Sequence, residues 1–253
     1  SILKVLQRRH TARQAIEAFQ NCRAAGFQNI SIDLMYGLPG ETLSTWQQDL
    51  DQALLLHPEH LSAYHLIYEE DTVLWKLREQ HKVEEADEDL SVSLFSTLID
   101  RLTSEGYDHY EISNFSLPGL YSRHNSSYWT EKKYLGCGPS AHSYNGVSRQ
   151  WNVASLDTYI KGISAGTPVF EIEELDLYTR YNDFVITRIR TEWGMPLSKL
   201  RDEFGEKLYD YCLRMAAPHL KQGTLELVND ILKLTRKGIF ISDGIMSDML
   251  WTD

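Results

Sequence analysis

Cysteine is scarce and scattered. Cys22, Cys137 and Cys212 are the only three, an odd number with no two close together in sequence. That excludes a disulfide framework and any local thiolate motif for zinc or an iron–sulfur centre, and it suits a reducing, cytoplasmic setting. Long apolar runs are missing as well; none approaches the ~20 residues needed to span a bilayer. The opening Ser1-Ile2-Leu3-Lys4 has none of the layout of a secretory signal. Basic residues are outnumbered, 25 Lys and Arg against 36 Asp and Glu, for a net charge of -11. Phosphate binding needs clustered cations, so nucleic acid and anionic membranes are disfavoured as partners. Repeats and low-complexity tracts are absent.

What is there reads as a folded protein of 253 residues, long enough for one large α/β domain or two smaller ones. Thr11-Ala12-Arg13-Gln14 has the form of a capping box, and Ala15, Ile16, Phe19 and Cys22 continue it as an apolar helical stripe that Gly26 stops. Asn29 to Met35 alternates like a strand and runs into the turn Tyr36-Gly37-Leu38-Pro39-Gly40. A helix over Leu43–Leu56 and a strand over Leu61–Ile67 follow. This rhythm predicts a parallel sheet covered by helices. The chain opens on a helix with no strand before it, so the expected sheet is incomplete and an N-terminal part is expected upstream of Ser1. Asp87 to Glu105 forms an amphipathic helix, and Tyr107 to Ile112 a short edge strand. Residues 113–150 read as loop-rich, the kind of segment on which functional groups are displayed.

From about Glu171 the character changes. Helices over Leu175–Arg190, Leu197–Phe204 and Glu206–Gln222 precede a hairpin, Leu225–Val228 and Ile231–Leu234, and a last helix over Ile239–Trp251. Three helices and a hairpin resemble a winged-helix module. With eleven Lys and Arg against fifteen Asp and Glu from residue 171 onward, it reads as a packing or lid domain and not as a DNA reader. The chain is thus divided as 1–112, 113–170 and 171–253.

The chemistry concentrates in three segments. Asp33, on the first strand, stands where ligands of parallel sheets lie; a carboxylate there accepts hydrogen bonds from hydroxyl or amino groups, or simply forms a turn. Arg8 can hold a carboxylate in a bidentate pair or belong to a solvated basic cluster. His124-Asn125-Ser126-Ser127-Tyr128-Trp129 sets an imidazole and a carboxamide beside two large aromatics. That combination suits a flat ring system and an iron, although a loop histidine and core aromatics are the plainer alternative. The glycine-rich Gly136-Cys137-Gly138-Pro139-Ser140-Ala141-His142-Ser143 lets backbone approach a ligand closely. Tyr64, His65 and Tyr68 at the end of the second strand, and Cys137, are weaker candidates.

Taken in order, Ser31–Thr42, Leu61–Tyr64, His124–Trp129 and Gly136–Ser143 resemble the oxygen-independent coproporphyrinogen III oxidase-like branch of the radical S-adenosylmethionine (SAM) proteins. The HNxxYW element places the resemblance with its heme-chaperone, HemW-like members. The resemblance implies the C-terminal part of a radical-SAM partial (β/α) barrel, followed by a mostly helical HemN-type C-terminal domain with a winged-helix-like end. By motif position it implies that Arg8, Asp33, Ile67 and His142 contact SAM. It also implies that His124, Asn125, Tyr128 and Trp129 meet heme, with His124 a ligand to its iron. Heme and heme-accepting proteins are the implied partners, and open strand edges imply pairing with a second chain. The family's CxxxCxxC loop, which holds a 4Fe-4S cluster, has no counterpart here and is expected upstream. These residues alone are therefore expected to be catalytically inactive. The alternative function within the branch is oxidative decarboxylation of coproporphyrinogen III.

Overall fold

The computed structural model describes residues 2–252, and the chain divides between Ser122 and Arg123 into two compact units. In the first, α1 (Ile2–Val5) precedes α2 (Ala12–Ala24). Thr11 opens α2: its hydroxyl accepts the Gln14 N–H at 3.3 Å, and the Gln14 side-chain oxygen accepts the Thr11 N–H at 2.8 Å. Strand β1 (Ser31–Tyr36), helix α3 (Leu43–Leu55) and strand β2 (His60–His65) form the expected parallel unit, in register from Ser31↔His60 to Tyr36↔His65. Helices α4 (Val73–Glu79) and α5 (Glu88–Ser104) follow, then β3 (Asp108–Glu111) and β4 (Asn114–Ser116). The sheet order is β1-β2-β4-β3, with β4 antiparallel to both neighbours. Beyond β1 the sheet has no further strand among the described residues.

The register sorts the side chains by face. Ile32, Leu34 and Tyr36 share a face with Leu61, Ala63 and His65, and helices cover it. The Tyr36 ring lies 5.5 Å from Trp46 of α3 and 6.1 Å from Phe95 of α5, and buried Trp46 donates its indole N–H to the Leu94 carbonyl at 3.0 Å. The other face carries Ser31, Asp33 and Met35 beside His60, Ser62 and Tyr64. It is polar and satisfied internally: His60 Nδ1 is 2.7 Å from Ser31 Oγ, His60 Nε2 is 2.6 Å from the Tyr110 hydroxyl, and Ser62 donates to Asn114 Oδ1 at 3.0 Å. Buried polar groups are tolerated when paired in this way. Between β1 and α3 the turn closes on Glu41, whose carboxylate accepts the Gly37 and Leu38 N–H groups at 2.7 and 3.3 Å. Gly37 has φ of 72°, and a Cβ there would stand 2.5 Å from the His65 ring.

The second unit opens with α6 (Arg123–Trp129). A three-stranded antiparallel sheet, β5 (His142–Tyr144), β6 (Ser148–Asn152) and β7 (Phe170–Glu174), follows in spatial order 5-6-7, with α7 (Leu156–Ser164) between its last two strands. Next come α8 (Leu177–Ile189), β8 (Met195–Pro196), α9 (Leu197–Gln222), β9 (Leu225–Val228), β10 (Ile231–Leu234), α10 (Arg236–Ile239) and α11 (Ser242–Met249). Antiparallel β8, β10 and β9 make the wing. Buried Tyr181, Phe184, Val185, Leu200, Leu208 and Cys212 join α8 to α9. Helix α9 is broken at Gly205 (φ 80°, ψ 171°), between the two helices expected from sequence. Among the described residues no helix is long and apolar enough to cross a membrane.

Two expectations are sharpened. Residues 113–150 are loop-rich but also hold β4, α6, β5 and the start of β6. Strands β4 and β5 have three residues each, too few for alternation to register. The second strand ends at His65, so Ile67 lies in the connection after it, 71 % exposed.

Candidate functional site

The segment His124–Trp129 is helical, where a loop was expected. Helix α6 stops at Glu131, which takes φ of 57°, while the Lys132 N–H reaches back to the Ser127 carbonyl at 3.1 Å. This is a Schellman-type stop with a glutamate in the left-handed position that usually goes to glycine. Strain of that kind persists where contacts over-determine it. Here the Glu131 carboxylate accepts from Arg188 of α8 at 2.8 Å and from Lys199 of α9 at 2.9 Å. Burial by itself would raise the Glu131 pKa, but the two cations outweigh it and hold the carboxyl below its ordinary value.

With the end of α6 fixed, its side chains are aimed. His124 and Tyr128 stand one turn apart on one side, as i,i+4 spacing dictates. Their rings meet edge-on with centroids 5.1 Å apart, and His124 Nε2 is 3.1 Å from the Tyr128 hydroxyl. His124 is exposed, and its Nδ1 has no partner among the described residues. The aromatic row continues from Tyr128 to Tyr134 at 5.0 Å and from Tyr134 to Tyr144 at 6.0 Å. Tyr134 and Tyr144 are bridged through their backbones, N–H to carbonyl, at 3.0 and 2.9 Å. Burial raises both phenol pKa values, so they stay neutral.

A cleft of about 230 Å³ lies along this row, walled by Tyr128, Trp129, Tyr134, Tyr144, Arg149 and Arg180. The Arg190 guanidinium sits 4.3 Å from the Trp129 ring centre. The cleft's volume is below that of pockets that enclose a drug-sized ligand. A large flat ligand would therefore lie across its open side instead of being swallowed.

The glycine-rich segment Gly136–Ser143 packs beside this. A Cβ on Gly136 would lie 2.2 Å from the His142 carbonyl oxygen, so only glycine fits. Asn152 donates to the Gly138 carbonyl at 2.9 Å, and the Tyr159 hydroxyl accepts the Gly138 N–H at 2.9 Å. His142 is exposed on β5, its ring stacked on Trp151 at 5.9 Å. Cys137 is exposed in the same segment.

The other sequence candidates lie in the first unit. Asp33 occupies the middle of β1 and not its end, opposite Ser62, exposed on the polar face. Arg8 is exposed in the turn before α2. Tyr64 shares the Asp33 face and is 42 % exposed, whereas His65 is spent on structure, with Nδ1 2.9 Å from the Leu66 carbonyl and Nε2 3.0 Å from Ser91 Oγ. The structure therefore brings His124, Tyr128 and Trp129 together on α6, with half-buried Asn125 between them. Arg8, Asp33 and Ile67 occupy three separate segments of the first unit, and His142 belongs to the second. Sequence reasoning missed Glu131, Tyr134, Tyr144, Arg149 and Arg180, which carry no motif. Among the described residues no three His, Cys, Asp or Glu side chains form a metal-binding group, so a 4Fe-4S cluster does not fit this chain's own donors.

A parallel β–α–β unit with helices on one face and polar groups on the other puts the first unit in the α/β class, and the second is a mostly helical module with a winged end. Comparison with known proteins is more specific. The model of the HemN C-terminal domain matches residues 175–241. Heme chaperone HemW of Mycobacterium tuberculosis is 32% identical over 250 residues, covering 98% of this chain and 62% of its own length. Heme chaperone HemW of Lactococcus lactis is 30% identical over 256 residues, covering 100% and 66%. In fold the chain matches coproporphyrinogen III oxidase (HemN) from Escherichia coli, described as a radical SAM enzyme, with a TM-score of 0.79 at 19% identity, covering 98% of this chain and 61% of that one. Over nearly its whole length the chain is thus similar to members of the HemW/HemN-like radical SAM family. It spans less than two thirds of the length of these relatives.

Proposed function

We propose that this chain is the heme-handling part of a HemW-like heme chaperone, a protein that binds heme and passes it to heme-requiring proteins. The observation that carries this is the exposed His124 imidazole, backed edge-on by Tyr128 at the head of an aromatic row. An imidazole nitrogen ligates heme iron, and the hydrogen bond made by the other ring nitrogen fixes which one is offered. With Nε2 engaged by Tyr128, Nδ1 is the nitrogen offered, and the tyrosine and tryptophan faces supply the surface for the macrocycle. Bound heme would contribute its iron and its flat apolar face; the chain supplies the ligand, the stacking surface and the donors around the rim.

For SAM, the polar face of the first sheet supports the reading that Asp33 accepts hydrogen bonds from the cofactor, with Arg8, the Ile67 backbone and His142 as further contacts. The free edge of β1 supports a further strand adding there, from more of the same protein or from a second chain.

Heme titration followed by the Soret band tests the proposal. His124→Ala is expected to shift the band and weaken binding by about tenfold or more, in line with loss of an axial ligand. An unchanged spectrum and affinity would sink the ligand assignment. Formation of protoporphyrinogen from coproporphyrinogen III under anaerobic conditions would move the function to the oxidase side of the family.

A further inference from the structure

Two residues that line the α6 cleft carry buried donors without acceptors. Trp129 Nε1 and Arg180 Nε are both shielded from solvent, and neither has a hydrogen-bond partner. An indole N–H and a guanidinium N–H only donate, so neither can satisfy the other. Orphaned buried donors are rare in folded proteins and call for a missing partner.

The carboxylates of the cleft are already committed. Glu131 is held by Arg188 and Lys199, Asp183 pairs with Arg149, and Glu203 lies 3.5 Å from Lys199. Arg180 and Lys132 are left lining the cleft with no ion-pair partner among the described residues. Arg180 is half-buried and Lys132 exposed. The walls between them are aromatic.

From this arrangement we propose that the cleft binds a carboxylate arm of a flat apolar ligand, with Arg180 and Trp129 donating from its wall and Lys132 adding its charge. A guanidinium matches a carboxylate in shape and charge, and a desolvated pair of this kind is stronger than a neutral hydrogen bond. A porphyrin with propionate side chains has both required parts. The inference rests on the heme reading of α6 and deepens it: iron is taken by His124 and a propionate by Arg180.

The experiment compares hemin with its dimethyl ester, whose propionates carry no charge, on the intact protein and on Arg180→Gln and His124→Ala variants. The intact protein is expected to prefer hemin over the ester by about tenfold or more. Arg180→Gln should erase that preference, lowering hemin affinity while leaving the ester within about twofold. His124→Ala should change the Soret band but keep the preference. Equal affinity of the intact protein for acid and ester overturns the proposal, and so does an Arg180→Gln variant that loses both equally or neither. An unaltered Soret band in His124→Ala, with the acid–ester preference intact, removes the iron-ligand reading and leaves the carboxylate site standing.

Discussion

At the scale of single residues, Glu131 shows how a backbone cost is met by side chains. A left-handed glutamate is disfavoured by roughly 1–3 kcal/mol, and the carboxylate offsets this through Arg188 and Lys199. Glu131→Gln keeps the shape and removes the charge, and we expect it to lower unfolding free energy by about 1–3 kcal/mol at pH 7. The sign with pH follows from the depressed pKa. The stabilisation is fully present above the ordinary glutamate range and is lost as pH falls through the lowered folded value. Denaturant unfolding of the two proteins should therefore differ near neutrality and converge in acid, below about pH 4. A difference that persists unchanged into acid would contradict the ion-pair account.

His124, Tyr128 and Trp129 were legible as a cluster because they are near neighbours in sequence, and one short helix carries all three. Arg180 was not: it lies on a helix formed 50 residues later, and on its own it reads as one more surface cation on an amphipathic face. Lys199 meets Glu131 across 68 positions of sequence. No local pattern encodes such a meeting, which is produced only when α6, α8 and α9 pack.

At the scale of elements, local signals worked where they were complete. Helices α2 and α3 announce themselves by capping residues, Thr11 and Thr42, both of which accept the N–H three residues on. The parallel pairing of β1 with β2 followed from the strand–helix–strand rhythm. Helix α6 is only seven residues long, and its Asn125, Ser126 and Ser127 favour turns in isolation, so it read as loop. Helix α4 passed unnoticed because it is only seven residues long.

The break in α9 was visible as a glycine between two apolar stripes, and its geometry makes a sharp prediction. Gly205 takes a conformation open essentially to glycine alone, and a Cβ there would touch nothing within 4 Å. Gly205→Ala should therefore destabilise by about 1–3 kcal/mol through backbone strain alone. Gly205→Asn should fare no better in the same thermal melt, because asparagine's tolerance of positive φ is confined to the αL region, far from a ψ of 171°. Equal stability of the alanine variant and the parent would mean that the helices can fuse.

At the scale of the whole molecule, the three cysteines lie in very different settings. Cys22 is on α2, Cys137 is exposed in the glycine-rich segment, and Cys212 is fully buried in α9. Burial pushes the Cys212 thiol up to about 11, which keeps it protonated and a poor metal ligand. Anaerobic reconstitution of these 253 residues with iron and sulfide is therefore expected to give no 4Fe-4S absorbance and no reductive cleavage of SAM. A stable cluster spectrum, surviving a cysteine-free control, would refute this. The two units differ in the surfaces they offer: the first a polar sheet face, the second an aromatic and cationic cleft.

The contact between Gly37 and His65 has an evolutionary corollary. The turn after β1 is keyed into the imidazole at the end of β2, so the two positions behave as one inherited character. A lineage that places any side chain at 37 must also shrink residue 65 and retune the turn. A side chain gained at 37 while His65 stayed would instead press on the imidazole and strain the tips of the paired strands.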